Sequence, residues 1–141
     1  FLRMVPPDEV QLRSTGVSTG AVRHDPDSLA QALLNLLVNA YKYSRPPRRI
    51  AVEVRDEGPW VVISVEDNGV GIPEREVPRI FEPFYRAGAA DSRAAGAGLG
   101  LAIVHHAVKS HGGTITVNSK VGAGSRFSIR LPVEPAAEAR P

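Results

Sequence analysis

The sequence predicts an α+β domain, and three observations lead there. Two pairs of short strand-like runs are each closed by a glycine-containing turn. One apolar-periodic helix opens on a clear cap, and a second begins among glycines. The 141 residues suit one domain with a real core, and 43% apolar and 23% charged residues are ordinary for a globular protein.

Taken in order, residues 1–9 hold two prolines and no periodicity, and read as a linker remnant ahead of a domain spanning 10–132. Val10 to Ser14 and Ala21 to His24 read as short strands around a turn-rich segment. Asp25-Pro26-Asp27 starts a helix, with Asp25 as the cap and Pro26 at the first helical position. Leu29, Ala32, Leu33, Leu36, Leu37 and Ala40 then recur at helical spacing and define its core face, and Pro46-Pro47 stops it. Ile50 to Asp56 and Trp60 to Asp67 form one hairpin, and Glu74 to Ile80 one or two helical turns. Residues 87–98 are almost all Gly, Ala and small polar residues, too poor in large side chains to anchor themselves, and are expected to be mobile. A helix from Leu99 to His111 ends at Gly112-Gly113, a second hairpin joins Thr114–Ser119 to Ser125–Leu131, and residues 133–141 form a disordered tail.

Two stretches carry chemistry. Gln31, Asn35, Asn39 and Lys42 share a helix face, although asparagine is a poor helix former that a solvated face would not choose. Such a stripe is either a set of buried amides bonded to neighbouring elements or a polar face turned inward onto a polar ligand. The second is Asp67-Asn68-Gly69-Val70-Gly71-Ile72-Pro73, where a strand delivers a carboxylate to its very end. Alone, Asp-Asn-Gly is as readily a hairpin turn. The other reading puts Asp67, an acceptor when ionised, against an exocyclic amine, with glycines letting a flat ligand approach the main chain. Gly96-Ala97-Gly98-Leu99-Gly100 at a helix start would offer backbone N–H groups to an anion. The aromatic run Phe81-Glu82-Pro83-Phe84-Tyr85-Arg86 fits a core as readily as a site.

Several classes drop out. No Gly-Lys dipeptide exists for a P-loop, and position 101 is leucine where a dinucleotide fingerprint needs its third glycine. The acidic spacing of a calcium loop is missing, and His105 and His106 are adjacent and cannot share a helix face. Net charge is +2 with arginines scattered along the chain, which makes no case for nucleic acid. With no cysteine there are no disulfides or thiolate metal sites, and no apolar run approaches a bilayer span, so no membrane contact is expected.

The run Asn35 to Tyr43, then Asp67 to Pro73, then Phe81 to Arg86, then Gly96 to Leu101, closely resembles the N, G1, F and G2 boxes of sensor histidine kinases, in that order. Gly122-Ala123-Gly124-Ser125-Arg126-Phe127 resembles the last glycine motif, and the likeness covers roughly residues 21–132. The resemblance implies the GHKL, or Bergerat, fold shared with gyrase, a heat-shock chaperone and mismatch-repair ATPases. That fold is a two-layer α/β sandwich, a mixed and mostly antiparallel sheet packed under about three helices, with a mobile ATP lid.

It further implies ATP and Mg²⁺ as cofactors and a set of roles. Asp67 would accept from the adenine amino group, Gly69, Gly71 and Ile72 would shape the base pocket, and Tyr43 would pack on the base. Asn35 would ligate Mg²⁺, Asn39 and Lys42 would contact phosphates, Arg86 would reach the γ-phosphate with Phe84 beside it, and Gly96, Gly98, Leu99, Gly100 and Leu101 would form the lid and helix start. Asn35, Lys42 and Arg86 would be the catalytic members. Where the related ATPases carry a water-activating glutamate, position 31 is glutamine, so slow hydrolysis is expected. The family's acceptor motif is absent from these residues, which implies a monomeric, excised catalytic domain. Its partners would be a histidine-containing dimerisation domain of the same parent chain and a downstream response regulator. Its place would be the cytoplasm, under a parent that an inner-membrane anchor could hold. An anti-sigma-type serine kinase and a non-catalytic nucleotide-binding module of the same fold are the competing readings.

Overall fold

The computed structural model describes residues 10–15, 25–83 and 100–133. Five strands form one sheet in the order β1-β2-β3-β5-β4, where β1 is Val10–Thr15, β2 Arg48–Glu57, β3 Trp60–Asp67, β4 Thr114–Lys120 and β5 Gly124–Pro132. β1 runs parallel to β2 and every other neighbour is antiparallel, so the sheet is mixed and mostly antiparallel as expected. Helices α1, Pro26–Tyr43, and α2, Gly100–Ser110, cover one face, and a short 3-10 helix, Glu74–Arg79, follows the β3 exit. The expected Ala21–His24 strand and the glycine-rich 87–98 segment lie outside the described residues.

Helix α1 starts where the cap dictates: the Asp25 carboxylate accepts from the Asp27 and Ser28 backbone N–H groups at 3.1 and 3.3 Å. It ends at Ser44, whose N–H reaches Ala40 O at 3.0 Å and whose backbone is already extended before the prolines. The N-terminal end of α1 is tied to the end of α2 by His111, whose Nε2 accepts from the Asp25 N–H at 3.0 Å while Nδ1 lies 2.6 Å from Ala107 O. A carbonyl only accepts, so in this contact Nδ1 is the donor.

The pleat divides the sheet cleanly. Ile50, Val65, Phe127, Ile129 and Leu131 face the helices and meet Ala32, Leu36 and Ala40 of α1 and Val104, Ala107 and Val108 of α2, all buried. Phe81 belongs to this core, edge-on to Phe127 at 6.4 Å between ring centroids and stacked on His105 at 5.5 Å. The outward face carries a charge ladder instead: Arg126 bonds Glu53 at 2.7 Å and Glu66 at 3.0 Å, Arg55 bonds Glu53 and Glu57, and Arg130 bonds Glu57. The bond from Arg126, with the nearby guanidinium charges, holds the Glu53 carboxyl below its usual range. On this face Val62 and Ser64 are nonetheless 1% exposed, with Ser64 bonded to Ser128 across β3 and β5 at 2.9 Å. No helix among the described residues is long and apolar enough to cross a membrane.

Candidate nucleotide site

At the end of β3 the helix-facing side of the sheet turns polar. Asp67 pairs with Ser125 of β5, which pairs with Ser119 of β4, so three polar side chains form a row beyond the Val65–Phe127–Val117 row of the core. Asp67 is 6% exposed, with its Oδ1 accepting from the Gly69 N–H at 2.8 Å. Burial pushes its carboxyl up to about 6, even though backbone N–H groups of Gly69 and Ser125 stabilise the ionised form. A buried carboxylate with few donors of its own gains from an incoming one. Ser119 Oγ and Ser125 Oγ are 2.7 Å apart, and Ser119 Oγ also accepts from the Ile72 N–H at 2.7 Å.

The strand does not turn into a hairpin after Asp67. It crosses beneath the C-terminal end of α1, where Gly69 forms an isolated antiparallel bridge with Ser44 and the Val70 N–H donates to Tyr43 O at 3.1 Å. Asn68 locks the crossing: its Nδ2 donates to Pro47 O at 2.8 Å and its Oδ1 accepts from the Arg49 N–H at 3.1 Å.

The glycines answer to these crossings and not to open space for a ligand. A Cβ on Gly69 would stand 2.0 Å from Tyr43 O, and one on Gly71, at φ +77°, 2.1 Å from Lys120 O. Gly124, at φ +105°, lets β5 pass over Asp67, where a Cβ would lie 2.1 Å from the Asp67 carbonyl oxygen. The absence of a side chain at Gly69 and Gly71 thus has a packing reason. They bring protein backbone together and so build the wall that holds Asp67. Gly100 is the one expected site glycine with open space at its missing Cβ, among those described.

The polar stripe of α1 is only half turned inward. Asn35 and Asn39 are half-buried, and the Nδ2 of Asn35 is buried with no hydrogen-bond partner among the described residues. Gln31 and Lys42 are exposed, Gln31 lining a shallow groove with Ile103 and His106 of α2. At about 100° per residue, Asn39, Asn35, Lys42 and Gln31 fall roughly 60°, 100°, 120° and 140° around the helix from the buried Leu36, which orders their exposure. An amide end left unpaired beside the core is the unusual feature here, because buried polar groups are nearly always bonded.

Tyr43 is half-buried at the end of α1. Ile72 and Leu101 pack against the core cluster. Helix α2 is described from Gly100, the first described residue after the gap, to Ser110. Phe84, Arg86, Gly96, Gly98 and Leu99 lie outside the described residues. The site also contains residues that sequence reasoning missed: Arg45, Asn68, Ser119 and Ser125. The register against Asp67 marks Ser125, but a serine in an alternating strand gives no such signal from its own neighbours.

The donor set suits Mg²⁺ with a polyphosphate. Among the described residues no group of three or more His, Asp or Glu side chains converges on one point, so any metal here would rely on amide and phosphate oxygens.

Comparison with known proteins agrees with this reading. Residues 24–135 match the family model described as histidine kinase-, DNA gyrase B- and HSP90-like ATPase. The chain is 44% identical over 126 residues to the sensor histidine kinase ZraS of Escherichia coli, covering 89% of this chain but only 26% of that protein. Among solved structures it resembles the mycobacterial sensor histidine kinase MprB, at 35% identity and a TM-score of 0.81 over 90% of this chain and 86% of the other. It also resembles full-length ShkA in complex with AMPPNP, at 29% identity and a TM-score of 0.77 over 90% of this chain and 26% of that one. With the match covering most of its length and both layers of the fold in place, the chain belongs to the histidine kinase-, DNA gyrase B- and HSP90-like ATPase family.

Proposed function

We propose that this domain binds Mg-ATP at the β3 exit and donates the γ-phosphoryl group to a histidine on a separate dimerisation domain, as the first step of two-component signalling. The single observation that carries the reading is Asp67: a buried acceptor at a strand end that passes under α1, the helix whose Asn35 amide nitrogen has no partner among the described residues. ShkA, which this chain resembles, is seen in complex with AMPPNP, which supports an adenine nucleotide as the ligand class.

Asp67 would accept a hydrogen bond from the adenine 6-amino group, with Tyr43 and Ile72 beside the base. Asn35 would hold Mg²⁺ through its amide oxygen, and Asn39 and Lys42 would contact phosphate oxygens. Arg86, with Phe84 and the Gly96 to Leu101 segment, would close over the phosphates. Bound Mg²⁺ would neutralise charge on the phosphate oxygens, which phosphoryl transfer needs more than covalent help. The protein's own share is positioning: the base would be fixed by Asp67 under the C-terminal end of α1, and the phosphates laid along α1 from Lys42 back toward Asn35. Gln31, an amide, cannot serve as a general base, so intrinsic hydrolysis would be slow and the phosphoryl group kept for the acceptor.

Titration of the 141-residue chain with AMPPNP, with and without Mg²⁺, tests the site. Binding that Mg²⁺ strengthens, and that Asp67→Asn weakens by about tenfold or more, is the expected result. No binding, or equal affinity for Asp67→Asn and the parent, would refute the assignment.

A further inference from the structure

We propose that Arg45, which follows the cap of α1, is a positioning residue for base recognition. It would hold the Gly69 backbone in place and, through the Gly69 N–H, steady the Asp67 carboxylate. The inference deepens the nucleotide reading above and rests on it.

The geometry is a chain of bonds with Arg45 at its hub. The Gly69 N–H donates to Asp67 Oδ1 at 2.8 Å. On the other side of that residue, Gly69 O accepts from Arg45 Nη2 at 3.4 Å, and the same nitrogen donates to Gly122 O at 2.7 Å. Gly122 returns the link, its N–H donating to Val70 O at 2.9 Å. One guanidinium thus joins the α1 exit, the loop after β3 and the turn between β4 and β5, the three backbone segments that surround Asp67. The tie is reciprocal, because Asn68 Nδ2 donates to the Arg45 carbonyl oxygen at 3.3 Å.

The glycines explain why a side chain is needed at this point. Gly69 has no Cβ to restrict its peptide, and Gly122, at φ +86°, sits in a turn where a Cβ would meet nothing within 4 Å. Two glycines therefore flank the carboxylate's support, and neither has a side chain of its own to help hold it. A charged donor bridging both carbonyls limits that freedom, chiefly through the short 2.7 Å bond to Gly122 O, with a longer 3.4 Å contact to Gly69 O. Arginine suits this role because its planar fork offers several donors from one fixed group, which a lysine ammonium on a flexible stem does not reproduce.

The consequence belongs to recognition and not to folding. Arg45 is solvent-exposed and makes no core contact, whereas the crossing itself is secured by the Val70 N–H to Tyr43 O bond and by Asn68. Losing the side chain should leave the fold intact and loosen the backbone on the far side of Gly69, so that the Gly69 N–H is held less firmly against Asp67 Oδ1. The carboxylate would then be less well aimed at the one group that distinguishes adenine from a 6-oxo purine.

The test compares the full chain with Arg45→Met and Arg45→Lys, measuring dissociation constants for Mg-ATP and Mg-inosine triphosphate, whose bases differ in the 6-amino group. The parent should prefer ATP. Arg45→Met should bind ATP about tenfold more weakly while inosine triphosphate changes little, so the preference falls by a similar factor, and Arg45→Lys should lie between. A second readout follows from the lost donor: the pH at which ATP affinity is half lost should move upward in Arg45→Met. Parent-like selectivity in Arg45→Met, or an equal loss for both nucleotides, overturns the role of Arg45 and leaves the site itself standing. A parent chain that binds neither nucleotide overturns the site as well.

Discussion

Asp67 is the residue on which the pocket turns, and its chemistry gives a pH prediction with a definite sign. Its carboxyl is raised from 3.8 to about 6, mainly by burial. A carboxyl raised in the folded state holds its proton more tightly there than in the unfolded chain, so the empty domain loses stability as pH rises from about 4 to about 6. The loss is of order 3 kcal/mol, and Asp67→Asn should recover part of it at neutral pH. Bound adenine has the opposite effect, since the amino group favours the ionised form. ATP affinity should therefore fall as pH drops through about 6, with a proton released on binding near that pH and none near pH 8. Calorimetry in buffers of different ionisation enthalpy reads this directly, and Asp67→Asn should abolish it. Asp67 was legible in the sequence because it ends an apolar strand. Ser125 and Ser119 were not, because only the register across β3, β5 and β4 sets them beside it.

At the scale of elements, α1 does two jobs on two sides. Ala32, Leu36 and Ala40 fill the core, and Leu36→Ala should cost about 2–5 kcal/mol of stability, read by denaturant unfolding, with little change in nucleotide specificity. Asn35→Ala should do the reverse. It removes an amide whose Nδ2 is already unpaired, so stability should hold or rise slightly while the gain in ATP affinity from Mg²⁺ shrinks about tenfold. The core face of α1 was readable from its period, and the asparagines were readable as out of place. How far each polar residue turns inward was not, because a shared stripe spans some 80° of helix surface and depends on where the core line falls. The same limit applied to the glycines. Their presence was plain, but what opposes each missing Cβ is backbone remote in sequence, Tyr43 for Gly69 and Lys120 for Gly71. Gly69→Ala and Gly71→Ala should both lose nucleotide binding together with thermal stability, which a melting curve would separate from the binding-only loss at Asp67.

The whole molecule separates a recognition end from a solvent face. The hairpins were legible from local turns and alternation. Strand order was not, because the pairing of β3 with β5 and the parallel placement of β1 beside β2 depend on which faces match and not on neighbouring residues. The charge ladder of Glu53, Arg55, Glu57, Glu66, Arg126 and Arg130 occupies the face away from the helices, where charged pairs cover buried Val62 and discourage sheet stacking. The helix side keeps the strand end that carries Asp67. This division suits a catalytic domain that presents a nucleotide to an acceptor held elsewhere, and the chain spans 26% of the length of the ZraS relative.

Transfer to histidine is read by incubating the chain with γ-labelled ATP, Mg²⁺ and a separately supplied histidine-containing dimerisation domain of a sensor histidine kinase. Label should appear on that domain, stable to alkali and lost in acid as a phosphoramidate is, with little free phosphate released in its absence. ATP binding with no transfer, or label on serine that survives acid, would contradict transfer to histidine.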